Sequence, residues 1–109
     1  MAIEWITEQH YHQEVGAAKV TLIDFTSAWC PPCKLLLPLL EELQRELGEE
    51  PVRIMKVNAD EAPSVVTELG IMGLPTVMLY RDGQPVEKLV GLRPKSVYRS
   101  AITRGLQMA

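Results

Sequence analysis

Apolar residues along this chain fall into two alternating rhythms. Val20 to Phe25, VTLIDF, is a short and almost unbroken apolar run rich in β-branched residues. That pattern predicts a strand covered on both faces. Beyond Pro31 the spacing lengthens. Leu36, Leu39, Leu40, Leu43 and Leu47 recur at helical intervals, and Gly48 supplies a C-terminal stop. Val52 to Ala59, VRIMKVNA, returns to a strand. The stretch between the two strands is long enough for a right-handed crossover, so they are expected to be parallel. APSVVTELG predicts a short helix ending at Gly70, and TVMLYRDGQPVEKLVG predicts a β-hairpin turning near Asp82-Gly83. Glu87 and Lys88 suit an exposed edge strand, where charge discourages unwanted pairing. RPKSVYRSAITRGL closes with an amphipathic helix, Val97, Tyr98, Ala101 and Ile102 facing a core and Arg99 and Arg104 facing out. A weak strand near Ile3 to Ile6 and a helix from about Thr7 precede these elements. The alternation places the chain in the α/β class. No repeat, linker or low-complexity segment interrupts it.

Composition narrows the function classes. A length of 109 residues points to one domain able to bury a core without staples. The net charge of −3 argues against a basic footprint, so no nucleic-acid partner is expected. No apolar run approaches the ~18 to 20 residues of a membrane span, so no membrane association is expected. The opening MAIEWITEQH lacks a basic stretch followed by an apolar core, so no secretory signal is read and a cytoplasmic location is expected.

Against this ordinary background the two cysteines stand out. Both fall in WCPPCK, at Cys30 and Cys33, where the first strand gives way to the leucine helix. A disulfide closing so short a loop is worth only about 2 kcal/mol of chain entropy, a poor structural staple. Such a pair in a reducing compartment reads as chemistry instead. A helix N-terminus carries unpaired N–H donors and a partial positive charge, which favour a thiolate at Cys30. A fall of about one and a half pH units from the ordinary thiol value would lift the thiolate fraction at neutral pH from roughly 3 % to about one half. The accompanying loss of intrinsic nucleophilicity, roughly fivefold, takes back only part of that gain. Proline suits the first helical position, but Pro32 also biases Pro31 away from helical geometry. The sequence therefore leaves open which of the two begins the helix. Neither donates a hydrogen bond, so the Cys33 N–H is the nearest helical donor to the Cys30 sulfur.

Other polar interruptions are candidates. Asp24 breaks an apolar strand and is expected to be buried, which raises a carboxyl pKa. Lys56 sits similarly within RIMKV on the neighbouring strand, and its charge acts in the opposite direction. The two are read either as groups in the chemistry or as a satisfied ion pair. Pro38, inside the leucine helix, is read as a source of curvature. His10 and His12 have the wrong spacing to complete a zinc site with the cysteines and are read as solvated residues, so no metal is expected.

WCPPCK after a strand LIDF and at the start of a helix resembles the thioredoxin family. So does GLPT at Gly73 to Thr76, and the likeness continues through DGQPVEKLVG, covering nearly the whole chain. The resemblance implies a thioredoxin fold over residues 1–109, a central mixed β-sheet flanked by helices. It implies a protein-disulfide reductase that works as a monomer. Cys30 is then the attacking nucleophile, Cys33 the resolving thiol, and Asp24 with Lys56 the buried acid and lysine beneath it. Asp24 would accept the Cys33 proton. Pro75 matches the family's cis-proline, and the backbone of Leu74 would pair with an extended client segment. Trp29, Pro31, Pro32, Gly73, Leu74, Pro75, Val90, Gly91 and Leu92 would form the docking rim. No bound cofactor is implied. Electrons would come from a thioredoxin reductase, a flavin enzyme using NADPH, and go to disulfide-containing client proteins.

Two features depart from the family pattern. Pro31 stands where glycine is common, and Thr26 where a second tryptophan is common. Neither removes a reacting group; both bear on reduction potential and on the surroundings of Asp24. Two other readings stay open from the sequence, a disulfide oxidase or isomerase on the same scaffold and a binding module that uses the rim without turnover.

Overall fold

A computed structural model describes residues 3–48 and 50–109. Its frame is one five-stranded mixed sheet in the order β1-β3-β2-β4-β5. The strands are β1 Glu4–Trp5, β2 Val20–Thr26, β3 Val52–Asn58, β4 Thr76–Arg81 and β5 Gln84–Val90; the helices are α1 Tyr11–Glu14, α2 Pro31–Leu47, α3 Pro63–Leu69 and α4 Lys95–Gln107. β2 sits in the middle, parallel to β3 and antiparallel to β4. All seven of its residues are buried, as its unbroken apolar run requires.

Each face of the sheet carries its own core. On one face Val20, Leu22, Val52, Ile54, Val77 and Leu79 pack with Leu36, Leu40 and Leu43 of α2 and with Tyr98, Ala101 and Ile102 of α4. On the other, Ile23, Phe25, Met55, Val57 and Met78 pack with Tyr11 of α1 and Val65 of α3. Side-chain alternation along β2 therefore assigns Leu22 and Asp24 to the α2/α4 face.

The hairpin turns where the sequence predicts. Asp82 and Gly83 both have positive φ, 51° and 82°, as a type I′ turn demands. Glu87 and Lys88 lie on the edge strand β5, and Arg104 of α4 pairs with Glu87. Arg99 likewise faces outward and pairs with Glu46 of α2. α2 runs unbroken through Pro38, which lies on its exposed side.

Three expectations need correction. The predicted helix from Thr7 is a 3-10 turn at Glu8–His10 followed by the four-residue α1. The N-terminal strand forms over two residues only, paired to Met55 and Lys56. Val97 is half-buried, while Gly105 lies in the core contact. A Cβ there would come within 3.2 Å of Leu79 and 3.3 Å of Val20. Gly105 lets the C-terminal half of α4 approach Val20 and Leu79, while Tyr98 is the buried residue of its first turn.

Gln44 contributes a contact that periodicity hides. Its side chain is buried between α2 and β3, where Nε2 donates to the carbonyls of Gly48 (2.6 Å) and Val52 (3.1 Å) and Oε1 accepts from the Ile54 N–H (2.6 Å). Gln44→Met keeps the volume but strands those backbone groups. It should lower stability by about 2 kcal/mol in a denaturant titration.

Candidate functional site

β2 ends at Thr26, and a tight turn carries the chain into α2. Ser27 holds this turn: its carbonyl accepts from the Cys30 N–H (3.3 Å), its hydroxyl accepts from the Trp29 N–H (3.3 Å) and donates to Asp60 (2.9 Å). Trp29 is thrown outward, 86 % exposed. Cys30 is the N-cap of α2, in extended geometry, and Pro31 is the first helical residue. The structure thus decides between the two prolines. With no N–H on Pro31 or Pro32, the first turn offers the Cys30 sulfur the Cys33 N–H, 3.3 Å away.

Cys30 and Cys33 are joined as a disulfide across the first turn of α2, their Cα atoms 5.2 Å apart. Their environments differ. Cys30 is partly exposed at the turn, whereas Cys33 is 1 % exposed and faces the sheet with Leu36 and Leu40. One sulfur can meet an incoming macromolecule. The other is reachable only through its partner.

Beneath α2, near the C-terminal end of β2, lies Asp24. It is fully buried, and neither carboxylate oxygen has a hydrogen-bond partner. Burial raises its pKa to about 7 against the opposing pull of Lys56. Lys56 is its direct neighbour in the β2–β3 register and is itself buried. The expected alternative of a satisfied ion pair is not what forms. The two side chains make no salt bridge, and the Lys56 ammonium rests over the ring of Trp5, 4.3 Å from its centroid.

A second chain segment borders the cysteines' end of the sheet. The Leu74–Pro75 peptide bond is cis. The Thr76 hydroxyl donates to the Gly73 carbonyl (2.6 Å), and the Gly91 N–H donates to the Pro75 carbonyl (2.7 Å), so the segment before β4 and the end of β5 are fastened together. A Cβ at Gly73 would touch Val90, which shows how closely the two approach. Gly91 itself has a φ of 83°. Tyr98 of α4 anchors the turn between β5 and α4, its hydroxyl accepting from the Arg93 N–H (3.1 Å) and donating to the Gly91 carbonyl (3.3 Å). Among the described residues, neither the N–H nor the C=O of Leu74 has a partner.

Apolar side chains are left in solvent along these segments: Trp29, Val90 and Leu92, with Leu74 half-buried. Pro31 is exposed, Pro32 half-exposed and Pro75 buried. Sequence reasoning missed Met72, 97 % exposed and next to Gly73, and Leu35 on the outer side of α2. An apolar residue leading into Gly-Leu-Pro was a signal for Met72. Nothing in the helical period marked Leu35. His10 and His12 are exposed, His10 against the Thr7 hydroxyl and His12 beside Glu68. Among the described residues no three His, Cys, Asp or Glu side chains converge as a metal-binding group.

The Thioredoxin family model matches residues 2–104. Thioredoxin from Bacillus subtilis is 37 % identical over 106 residues, 97 % of this chain and 100 % of that one. Thioredoxin from Staphylococcus aureus (strain N315) is 41 % identical over 95 residues, 87 % of this chain and 89 % of that one. Among solved structures, a mutant thioredoxin from Halobacterium salinarum superposes with a TM-score of 0.88 at 26 % identity, covering 99 % of this chain and 94 % of that one. Oxidised mitochondrial thioredoxin 3 from Saccharomyces cerevisiae gives 0.84 at 28 % identity, with 94 % of each chain covered.

Proposed function

The chain belongs to the thioredoxin family, and on that premise we propose how its residues divide the work of a thiol–disulfide oxidoreductase that reduces protein disulfides. In the dithiol form, the Cys30 thiolate attacks one sulfur of a client disulfide. The client bond breaks, a mixed disulfide forms, and the first client thiolate leaves and takes a proton from solvent. Asp24 then accepts the Cys33 proton. The Cys33 sulfur attacks Cys30, the mixed disulfide breaks, and the second client thiolate departs. Two electrons have passed from the cysteine pair to the client, and Cys30–Cys33 is left oxidised.

The observation that carries this division is the contrast between the two sulfurs. Cys30 is accessible and takes an N–H at a helix N-terminus; Cys33 is buried on the face that holds Asp24. That placement suits one for attack and the other for resolution. Asp24, with an affinity for protons centred near neutrality, is matched to accepting and returning one. Lys56 adjusts that affinity. The unpaired backbone of Leu74 suits pairing with an extended client segment, flanked by Trp29, Gly73, Pro75, Val90, Gly91 and Leu92 and by Pro31 and Pro32 at the cysteine turn. Met72 extends this rim.

We further infer a cytoplasmic protein whose residues 1–109 act as one domain and as a monomer. Its electrons come from an NADPH-dependent flavin reductase of the thioredoxin reductase class. Among the described residues no helix is long and apolar enough to cross a membrane. The test is insulin reduction with NADPH and such a reductase. Catalytic NADPH oxidation with insulin precipitation is expected. Absence of both, with the Cys30–Cys33 pair shown to be reducible by dithiothreitol, overturns the reading.

A further inference from the structure

Trp5, Lys56 and Asp24 are direct neighbours across three strands. In the register, Trp5 of β1 pairs with Lys56 of β3, and Lys56 pairs with Asp24 of β2. The middle residue carries a long flexible stem with a charge at its tip. On one side lies a buried carboxylate with no partner. On the other lies an indole at the sheet edge, 58 % exposed. Attraction between opposite charges in a poorly polarisable interior favours the first side. Yet the ammonium rests over the indole face, at 4.3 Å, an arrangement that the negative face of the ring stabilises while leaving part of the charge hydrated.

We propose that Trp5 is a positioning residue for the resolving step: by holding the Lys56 ammonium at the β1 edge, it keeps that charge from closing onto Asp24 and leaves the carboxylate free to take the Cys33 proton. The inference rests on the role of Asp24 given above. It extends that role to a residue distant from the cysteines in sequence, on a strand only two residues long.

The groups facing Asp24 are few. β3 contributes Lys56, α2 contributes Cys33, and α4 contributes Tyr98, whose hydroxyl is engaged by Arg93 and Gly91 and whose pKa burial raises. β4 presents Val77 at the paired position, which does not titrate. Around Trp5, Glu4 is paired with Arg53, and Glu8 and Glu61 line a groove of about 360 Å³ together with Trp5. The Glu8 carboxylate accepts from the N–H groups of Ser64 and Val65. Burial is the larger influence on the Asp24 proton and Lys56 is the charge that opposes it, so where Trp5 holds that charge sets how strongly it opposes.

The experiment follows the Asp24 carboxyl by carbon-13 NMR across pH 5 to 9 in the intact chain. Trp5→Ala, Trp5→Phe and Lys56→Met are compared with the wild type, together with the double variant Trp5→Ala/Lys56→Met. Trp5→Ala should lower the Asp24 midpoint by about half a pH unit. Trp5→Phe, which keeps an aromatic face, should restore most of it. In the Lys56→Met background, Trp5→Ala should add nothing. An Asp24 midpoint that stays put or rises in Trp5→Ala overturns the proposal, as does a shift that persists without Lys56. Because the titration is read without turnover, it is separate from the function. A wild type that fails to reduce insulin would overturn the enzyme reading and leave the charge placement standing or falling on the NMR alone.

Discussion

Cys33→Ser should arrest the reaction at its midpoint. Cys30 would still open a client disulfide, because its place at the helix N-terminus and its exposure are untouched. The serine hydroxyl is not acidic enough to displace the client from Cys30, so covalent adducts should accumulate and turnover should fall below detection. Non-reducing electrophoresis should show a client-shifted band that dithiothreitol removes. Cys30→Ser should abolish turnover equally but trap nothing, since the buried sulfur of Cys33 is left without an accessible partner. Adducts on Cys33 in that variant, or none on Cys30 in the other, would reverse or dissolve the assignment.

Asp24→Asn should separate two effects of one carboxylate. Losing the proton acceptor should slow release of the mixed disulfide by about 10²-fold while leaving the first attack nearly intact. Stopped-flow tryptophan fluorescence with single turnovers resolves the two phases, and equal slowing of both would contradict the role. Stability should move the other way. The folded protein holds the Asp24 proton up to about pH 7, whereas the unfolded chain releases it near the ordinary carboxyl value of 3.8. The stabilising contribution is therefore complete below that ordinary value and is lost as pH rises towards 7. The full span is of the order of 4 kcal/mol. The amide that replaces the carboxyl does not titrate, so the variant should have a flat profile over this range. By pH 8 it should exceed the wild type by about 2 kcal/mol in urea unfolding.

Much of this architecture was legible because periodicity and backbone chemistry agreed. β2 announced itself by an apolar run, α2 by its leucine spacing, and the hairpin by an Asp-Gly pair that tolerates positive φ. The cysteine pair and the interrupting Asp24 stood out because each breaks a local pattern, whereas the Gly-Leu-Pro segment was read only through its resemblance to the thioredoxin family. What escaped depends on contacts distant in sequence. β1 is held by two residues' pairing to β3, too short to leave a period. Gln44 looks like any polar position on a helix until β3 is laid beside it. Val97 is less buried than its helical position suggests, and Gly105 is a core contact because only a residue without a side chain fits against Val20 and Leu79. Lys56 could be placed beside Asp24 from the strand alignment, but not turned away from it, because Trp5 enters from the opposite edge.

The small ring at the start of α2 has one more implication. A crosslink spanning so few residues removes little freedom from the unfolded chain. The two cores and the Ser27 turn are held by other contacts. Joining the sulfurs should therefore add only about 2 kcal/mol to the stability of the scaffold. Most of what holds the fold together thus lies in contacts away from the ring, which opening and closing the cysteine pair leaves in place.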